Sequence, residues 1–326
     1  MPAKVDTHRP LRAKLIFNAT AGSPEEKPQQ LVEILTEMQN WHILPEVFMV
    51  RPDSKLDAVV RSAVRGGIKL VVVAGGDGTI DSVVGAMVGS SATLGIIPTG
   101  TRNNVAFNLG IPSTVAGSIA LLREGRRIKI DVGHIRSGQA SAWFLEAATL
   151  GLLSDLYTAA DEVQKGDLAQ IGTLLSTFVS STPSHLQVFL EGRKRLDTSA
   201  HMVLIANMPY LGPRFQISEA VSYCDSYLDV FVFSDMSKMD LISYAMQSAS
   251  GAAEDANIRH YRVKRLRIDS DPQMPVLADG VLLDPGRVTA LVHDRALVVM
   301  AGAASRTMGG QPAASEVIDN EIVSRG

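Results

Sequence analysis

The sequence has little that would connect the chain with an oxidising compartment, with nucleic acid or with the interior of a membrane. Cys224 is the one cysteine among 326 residues, so an internal disulfide bond is excluded. The formal net charge of −3 provides no overall positive field for nucleic acid. No apolar run approaches the roughly 20 residues of a membrane-spanning helix. We therefore expect a cytoplasmic protein without a nucleic-acid partner, whose contact with the inner face of a membrane would be peripheral.

The composition is otherwise typical of a globular protein with a large core, because 46% of the residues are hydrophobic and 20% are charged. A length of 326 residues allows two domains of ordinary size. Residues 12–128 alternate between short apolar runs and amphipathic helical patterns. This alternation predicts an α/β domain with a doubly wound parallel sheet, whose ligand crevice lies at the carboxyl ends of the strands.

Residues 129–302 have many short strand-like runs and few helical patterns, which predicts a β-rich sandwich as the second domain. The helical patterns lie near 152–164, 168–180 and 239–248. The predicted strands include Ala142–Ala148, Arg262–Ile268, Val288–His293 and Ala296–Met300. Residues 303–326 are small and polar, and we expect them to form a disordered tail.

The ends of one helix in the first domain can be predicted in more detail. Ser54 is placed to cap the N-terminus of a helix whose apolar face includes Leu56 and Val60. Gly66 follows the last apolar position, and it would end the helix in a left-handed conformation.

A glycine loop, Gly75-Gly76-Asp77-Gly78-Thr79, joins a buried predicted strand to an amphipathic helix. Glycine lets main-chain N–H groups approach phosphate oxygens closely, and the helix presents its positive N-terminus to them. The spacing is neither the dinucleotide fingerprint nor a Walker A loop. Asp77 is unusual beside a polyanion unless its carboxylate meets a magnesium ion or the amides of a helix. The loop predicts a nucleotide-phosphate site, and the alternative is a tight turn that merely requires glycines.

Two further polar loops follow predicted strands. Pro98–Asn104 comes after the next strand along the chain, and Asn18–Gly22 comes after the first. Because the carboxyl ends of parallel strands lie at one edge of a sheet, we expect all three loops to open on the same crevice.

With these loops, the chain resembles the diacylglycerol kinase and sphingosine kinase-like superfamily, in particular its bacterial lipid kinase branch, from about Ala13 to Met300. NAD kinases and 6-phosphofructokinases share the glycine loop alone. The resemblance rests on an ordered set of six segments: Asn18–Gly22, Gly75–Thr79, Pro98–Asn104, Asn207–Tyr210, Asp225–Val230 and Ala278–Gly280. It implies that the three loops hold ATP between the domains, with magnesium, and that a lipid at a membrane surface enters the sandwich domain.

The resemblance also implies roles for single residues. Asp279 would be the general base that activates the lipid hydroxyl. Asp77 would lie near magnesium, and Asp225 and Asp229 would supply oxygen donors to a structural magnesium ion. The residues that would contact ATP are Asn18, Gly75, Gly76, Asp77, Gly78, Thr79, Thr99, Gly100, Thr101 and Asn103.

The sequence departs from the family pattern in three places. Asn104 replaces a common Asp, Val281 replaces the Glu of the usual Asp-Gly-Glu, and Cys224-Asp225-Ser226 stands where the family usually has Asp-Asp-Gly. Asp279 could also serve only as the first residue of an Asp-Gly turn between strands. Three hypotheses therefore stay open: a lipid kinase whose lipid the sequence does not name, an NAD kinase, or a lipid- or nucleotide-binding protein that has lost its catalytic activity.

Overall fold

The computed structural model describes residues 10–19, 27–152, 154, 182–192, 194–211, 216–234, 236–237, 240 and 258–303. These residues form two compact units. The first contains the described residues up to Ile130 and those from Arg295 onward, and the second is Asp131–Asp294. Apart from Leu152, Ser154 and Asp240, the three helical patterns predicted in the second half lie outside the described residues, as do residues 20–22 and the predicted tail from residue 304.

The helices and strands follow one another along the chain as predicted in kind, with strands and helices alternating first and strands dominating later. The elements up to Ser137 are β1 (Leu11–Phe17), α1 (Lys27–Asn40), β2 (Ile43–Met49), α2 (Leu56–Arg65), β3 (Leu70–Gly75), α3 (Asp77–Met87), β4 (Thr93–Pro98), α4 (Asn104–Asn108), α5 (Val115–Glu124) and β5 (Arg126–Ser137). The later elements are β6 (Ala140–Phe144), β7 (Ala147–Gly151), β8 (Ser184–Leu190), β9 (Lys194–Ala206), β10 (Leu228–Ser234), β11 (Ile258–Val263), β12 (Arg265–Asp271), β13 (Val276–Ala278), β14 (Val281–Leu283) and β15 (Val288–Ala301).

The first unit contains a parallel sheet with the strand order β2-β1-β3-β4-β15. All six residues of β3 are buried, as expected for a strand that is covered on both faces. Helix α1 packs with α5, and α2 packs with α3. This architecture confirms the predicted doubly wound sheet. The loops after β1, β3 and β4 consequently leave the sheet at the same edge.

The second unit is built from antiparallel strands. β9 pairs with β7, β8 and β10, and β13 pairs with both β7 and β14. Buried side chains of these strands and of β12 form an apolar core that includes Leu150, Val188, Val203, Val230 and Ile268, and other buried positions of β7, β9 and β10 contribute to a second apolar cluster. The sandwich prediction is confirmed. Among the described residues of the whole chain, no helix is long and apolar enough to cross a membrane.

Three predicted strand boundaries were wrong. The strand predicted over Ala142–Ala148 is two strands, β6 and β7, because the amides of Leu145 and Glu146 donate hydrogen bonds to the carboxylate of Asp279. The strand predicted over Arg262–Ile268 is also two, since the amides of Lys264 and Arg265 donate to the carboxylate of Glu191. The two strands predicted after Val288 form the single 14-residue strand β15.

The predicted ends of α2 were also wrong. The helix begins at Leu56 after Lys55, which makes no side-chain capping bond. The hydroxyl of Ser54 instead accepts a hydrogen bond from the Arg51 amide, at 2.8 Å, and closes the preceding turn. Gly66 has a φ of −74°, and the left-handed residue is Gly67, with a φ of 90°.

Candidate functional site

The glycine loop and the loop after β4 pack against each other through their backbones. A Cβ atom added to Gly76 would lie 2.7 Å from the main-chain oxygen of Arg102 and 3.2 Å from Cα of Gly100. A Cβ atom added to Gly100 would lie 2.4 Å from Cα of Gly76. Real Cβ atoms do not approach other atoms so closely, so both positions require glycine. Gly76 and Gly100 are therefore required for the contact between the two loops.

Asp77 holds the two loops together. Its carboxylate accepts hydrogen bonds from the amides of Asn104, at 2.9 Å, and Val105, at 3.2 Å. Its own amide donates to the main-chain oxygen of Arg102, at 3.1 Å. Burial raises the pKa of Asp77 above its usual value, while the two amides and the positive charge of Arg102 act in the opposite direction. Of the two partners expected from the sequence, a magnesium ion or helix amides, the structure shows the amides, at the N-terminus of α4.

The side chains of two asparagines donate hydrogen bonds that stabilise the same loops. The Asn18 side-chain amide donates to the hydroxyl of Thr79 at 2.8 Å, which connects the end of β1 with the glycine loop. The Asn103 side-chain amide donates to the main-chain oxygen of Gly100 at 2.7 Å. The structure thus brings the predicted residues Asn18, Thr79, Gly100 and Asn103 into one assembly.

The exposed part of this assembly is the beginning of α3. Gly78 is exposed, and among the described residues no heavy atom lies within 4 Å of a Cβ atom added there. Thr101 and Arg102 are exposed on the neighbouring loop. A helix N-terminus attracts anions through its N–H groups and its dipole, and a guanidinium adds a full positive charge. These residues are therefore suited to bind a phosphate group.

A cavity of about 510 Å³ lies at the carboxyl end of β2 in the same unit. A volume of roughly 300–1,000 Å³ is usual for small-molecule sites. Its lining includes Arg51, Ser54 and Lys55 from the turn after β2, and Ser82 from α3. The Ser82 hydroxyl donates to the main-chain oxygen of Gly78 at 2.8 Å, so one helical turn connects the cavity with the exposed glycine. The cavity could hold a polar ligand group that extends from the glycine loop.

Asp279 lies in the second unit, in a two-residue turn between β13 and β14. Ala278 pairs with Val281 across the turn, and the φ angles of Asp279 and Gly280 are 43° and 90°. These values fit the type I′ turn that Asp-Gly favours. The predicted turn is thus present, and it does not exclude a chemical role for the carboxylate.

The Asp279 carboxylate accepts hydrogen bonds from three successive main-chain amides, those of Leu145, Glu146 and Ala147. The bond from Ala147 measures 2.9 Å, and both carboxylate oxygens are within 3.2 Å of the Glu146 nitrogen. Three donors fix the position of the carboxylate and favour an ionised acceptor. They also explain why the backbone leaves the sheet between β6 and β7.

Asn207 donates hydrogen bonds to the main-chain carbonyl groups of the same segment. Its side-chain amide donates to the main-chain oxygens of Leu145, at 2.7 Å, and Asp131, at 3.2 Å. The amides of Asn207 and Met208 both donate to the main-chain oxygen of Glu146. Asn207 is completely buried. Its hydrogen bonds to these main-chain oxygens explain why a polar side chain occurs at this interior position.

The partners of Asp225 and Asp229 are an arginine and a histidine. Arg262 forms a salt bridge with Asp225, and Nε2 of His260 lies 2.6 Å from Oδ1 of Asp229. Burial raises the pKa of Asp225, and the charge of Arg262 opposes this effect. Among the described residues, no three His, Cys, Asp or Glu side chains are arranged to hold a metal ion. The assignment of Asp77, Asp225 and Asp229 to magnesium stays a prediction that their observed partners do not support.

Comparison with known proteins follows the division into two domains. Residues 12–135 match the model of the diacylglycerol kinase catalytic domain. Residues 155–301 match the model of the YegS C-terminal NAD kinase beta sandwich-like domain. The chain therefore contains a diacylglycerol kinase catalytic domain followed by a YegS C-terminal sandwich-like domain. The structural prediction of an α/β domain followed by a sandwich is thereby supported by sequence as well as by fold.

Relatives differ in how much of their length they share with this diacylglycerol kinase-like chain. The diacylglycerol kinase of Bacillus subtilis is 24% identical over 82% of this chain and 89% of its own length. The chain spans about half or less of two other curated relatives. It covers 51% of the uncharacterized protein sll0036 of Synechocystis, at 24% identity over 67% of this chain. It covers 39% of a protein of Cronobacter sakazakii named "Probable lipid kinase YegS-like", at 32% identity over 36% of this chain.

Solved structures show the same fold. A crystal structure of a diacylglycerol kinase from Bacillus anthracis has a TM-score of 0.72 at 21% identity, over 90% of this chain and 98% of that one. An NAD kinase from Archaeoglobus fulgidus in complex with ATP has a TM-score of 0.51 at 12% identity, over 91% of this chain and 96% of that one. The NAD kinase is thus the more distant of the two.

Sequence analysis of this diacylglycerol kinase-like chain missed two groups of candidate site residues. Arg102 lies within a loop that was recognised, and its exposed guanidinium is the positive charge nearest in sequence to the predicted contacts. Arg51, Ser54 and Lys55 line the cavity after β2. Their position after a parallel strand is a signal that could have identified them, because Asn18 follows β1 in the same way.

Proposed function

We propose that the protein transfers the γ-phosphoryl group of ATP to a hydroxyl group of a lipid. The observation that carries the proposal is the packing of two loops at the ends of adjacent parallel strands, which leaves Gly78 exposed at the N-terminus of α3 beside Arg102. The named relatives that are diacylglycerol kinases support the lipid acceptor. Phosphoryl transfer depends mainly on positioning and on charge neutralisation, which glycine loops and an arginine can provide.

ATP fits the groups of the first unit. The amides at the start of α3 and the Arg102 guanidinium would bind its phosphates, and the cavity lined by Arg51, Ser54 and Lys55 would accept the nucleoside. ATP supplies the transferable phosphoryl group. Asn18 and Asn103 would contribute by holding the loops in position, through their bonds to Thr79 and Gly100.

In the proposed reaction, the lipid hydroxyl oxygen forms a bond with the γ-phosphorus, and the bond from that phosphorus to the oxygen bridging to the β-phosphate breaks. Asp279 takes the hydroxyl proton as general base, and ADP leaves with the bridging oxygen. The three amides that donate to Asp279 support this role by fixing its carboxylate. No step is assigned to a magnesium ion, because the three candidate ligands already have amide, arginine or histidine partners.

A transfer assay tests the proposal and its two alternatives. Purified protein is incubated with ATP labelled at the γ-phosphate and with a total lipid extract in vesicles, or with NAD, or with a water-soluble alcohol. We expect labelled phosphate in the lipid fraction, and more of it with vesicles than with the soluble alcohol. Label on NAD would instead identify an NAD kinase. ATP binding without a labelled product would identify a binding protein and refute the kinase.

Arg102→Gln should weaken ATP binding by roughly tenfold, equivalent to about 1.4 kcal/mol, because a charge-assisted contact with a phosphate is lost. The loss should shrink as salt is added, since salt screens exposed charges. Calorimetric titration with ATP measures both effects. Arg65→Gln is the matched control, because Arg65 is exposed on α2 and its Nε donates to the main-chain oxygen of Arg61. Equal affinities for wild type and Arg102→Gln would remove Arg102 from the phosphate site.

A further inference from the structure

Asp225 and Asp229, before and within β10, lie opposite Arg262 and His260 of β11. In the antiparallel register Asp229 pairs with Arg262, and Phe231 pairs with His260. Because residues two apart on a strand face the same side, Asp229, Phe231, His260 and Arg262 share one face of this strand pair. Asp225 precedes β10 and reaches the same guanidinium. The sheet register therefore places a guanidinium and an imidazole beside the two carboxylates.

Asp229 is completely buried, so its charge needs compensation inside the protein. Oδ1 of Asp229 lies 2.6 Å from Nε2 of His260 and 3.9 Å from Nε of Arg262. Arg262 also donates through Nη2 to Asp225. The guanidinium thus contacts both carboxylates, and it occupies a position in which a divalent cation could bridge them.

Aromatic rings contact the side chains of both His260 and Arg262. The His260 ring stacks on Phe231 with a centroid distance of 4.4 Å and an angle of 7° between the planes. The Arg262 guanidinium lies over the ring of Tyr227, 5.0 Å from its centroid. Stacking of this kind restricts the side-chain rotation that a weak surface ion pair would allow. The His260 and Arg262 side chains are therefore fixed in position by their packing.

Oxygen ligands are what magnesium and calcium prefer, but these ions take about six to eight of them. Here Asp225 Oδ1 accepts from the amide of Tyr227 at 3.0 Å, and Oδ2 is bonded to Arg262. Oδ2 of Asp229 is the acceptor that has no hydrogen-bond partner among the described residues. One such oxygen does not make a site for a hard cation.

We propose that the Arg262 guanidinium takes the place of a divalent metal ion between Asp225 and Asp229, while His260 hydrogen-bonds to Asp229. The second unit then keeps the β10–β11 edge together without metal. The acid pair would become a metal site only when the guanidinium is removed.

Thermal unfolding of the full chain tests the proposal. The wild-type midpoint should be the same in EDTA, in Mg²⁺ and in Ca²⁺. Arg262→Met should lower the midpoint by a few degrees in EDTA, and Ca²⁺ should restore part of the loss in a saturable way. Arg259→Met is the matched control on the same strand, since Arg259 is exposed and has no acidic partner among the described residues. That variant should show neither effect.

A double variant keeps the test informative if Arg262→Met does not fold. Asp225→Asn combined with Arg262→Met removes both partners, so it should fold, regain most of the lost midpoint and show no response to Ca²⁺. Failure of the double variant to fold would overturn the proposal. So would a wild-type midpoint that falls in EDTA and recovers with Mg²⁺, with Asp225→Asn abolishing the recovery. An Arg262→Met variant that unfolds like wild type, without a calcium response, would also overturn it.

Discussion

Asp279→Asn is expected to lower turnover on the lipid acceptor by about 10²–10⁴-fold while ATP affinity stays near that of wild type, as for the loss of a general base. Asparagine keeps the size of the side chain but cannot take the hydroxyl proton. It also keeps a single acceptor oxygen where three amides now donate, so we expect the unfolding midpoint to fall by a few degrees as well. Steady-state kinetics, ATP titration and thermal unfolding of the same preparation give the three values.

The control must separate the loss of a base from the loosening of residues 145–147. Asn207→Ala removes the side-chain bonds to the main-chain oxygens of Leu145 and Asp131 without touching the Asp279 carboxylate. It should destabilise the protein while costing little turnover. An equal loss of turnover in both variants would show that Asp279 acts only through the backbone, and full activity of Asp279→Asn would refute the base assignment directly.

The second large effect concerns the glycine loop, where two neighbouring glycines should respond differently to alanine. Gly76→Ala places a Cβ atom 2.7 Å from the main-chain oxygen of Arg102. The loops must then separate, at a cost of roughly 1–3 kcal/mol in stability, and ATP binding should be lost with them. Gly78→Ala meets no atom of the described residues within 4 Å, and alanine in a helix is favoured over glycine by up to about 1 kcal/mol.

Gly78→Ala is therefore the sharper test of phosphate binding. Its midpoint should stay constant or rise, while its ATP affinity should fall about tenfold, equivalent to roughly 1.4 kcal/mol, because the new methyl group keeps the phosphates away from the α3 amides. A structural defect cannot explain a variant that is more stable and binds less ATP. Unchanged ATP affinity in Gly78→Ala would remove the phosphate assignment from this loop.

The sequence predicted the fold well where one physical rule determined the structure. The all-apolar run of β3 fixed a strand buried on both faces, and the three polar loops were placed at one edge because parallel strands end there. The predictions failed where a distant group competed for the backbone. Leu145 and Glu146 lie within a largely apolar run that reads as one strand, but their amides donate to Asp279, which is more than 130 residues away in the chain. Local patterns hold no information about such a partner.

The candidate site was likewise predicted correctly in its local features and incompletely in its contacts between distant residues. The residue types of the glycine loop predicted close approach of the backbone to a phosphate, whereas the close approach that the structure shows is between Gly76 and Gly100. Asp77 was expected to meet either a metal or helix amides, and its bonds to Asn104 and Val105 identify the amides. The main-chain amide of Asn104 is one of these donors, and nothing in the structure explains why its side chain is an amide where the family commonly has Asp.

Strand β15 links the two units in a way that matters for synthesis of the chain. Its first half pairs with β12 in the second unit, and Val298 and Val299 pair with β4 in the first unit. While the ribosome is still adding the second unit, β4 has an unprotected edge, although its first five residues are buried in the finished protein. Such an edge invites pairing with other nascent chains. The sheet of the first unit is therefore complete only after β15 has emerged, and a translation product that ends before β15 would be prone to aggregate.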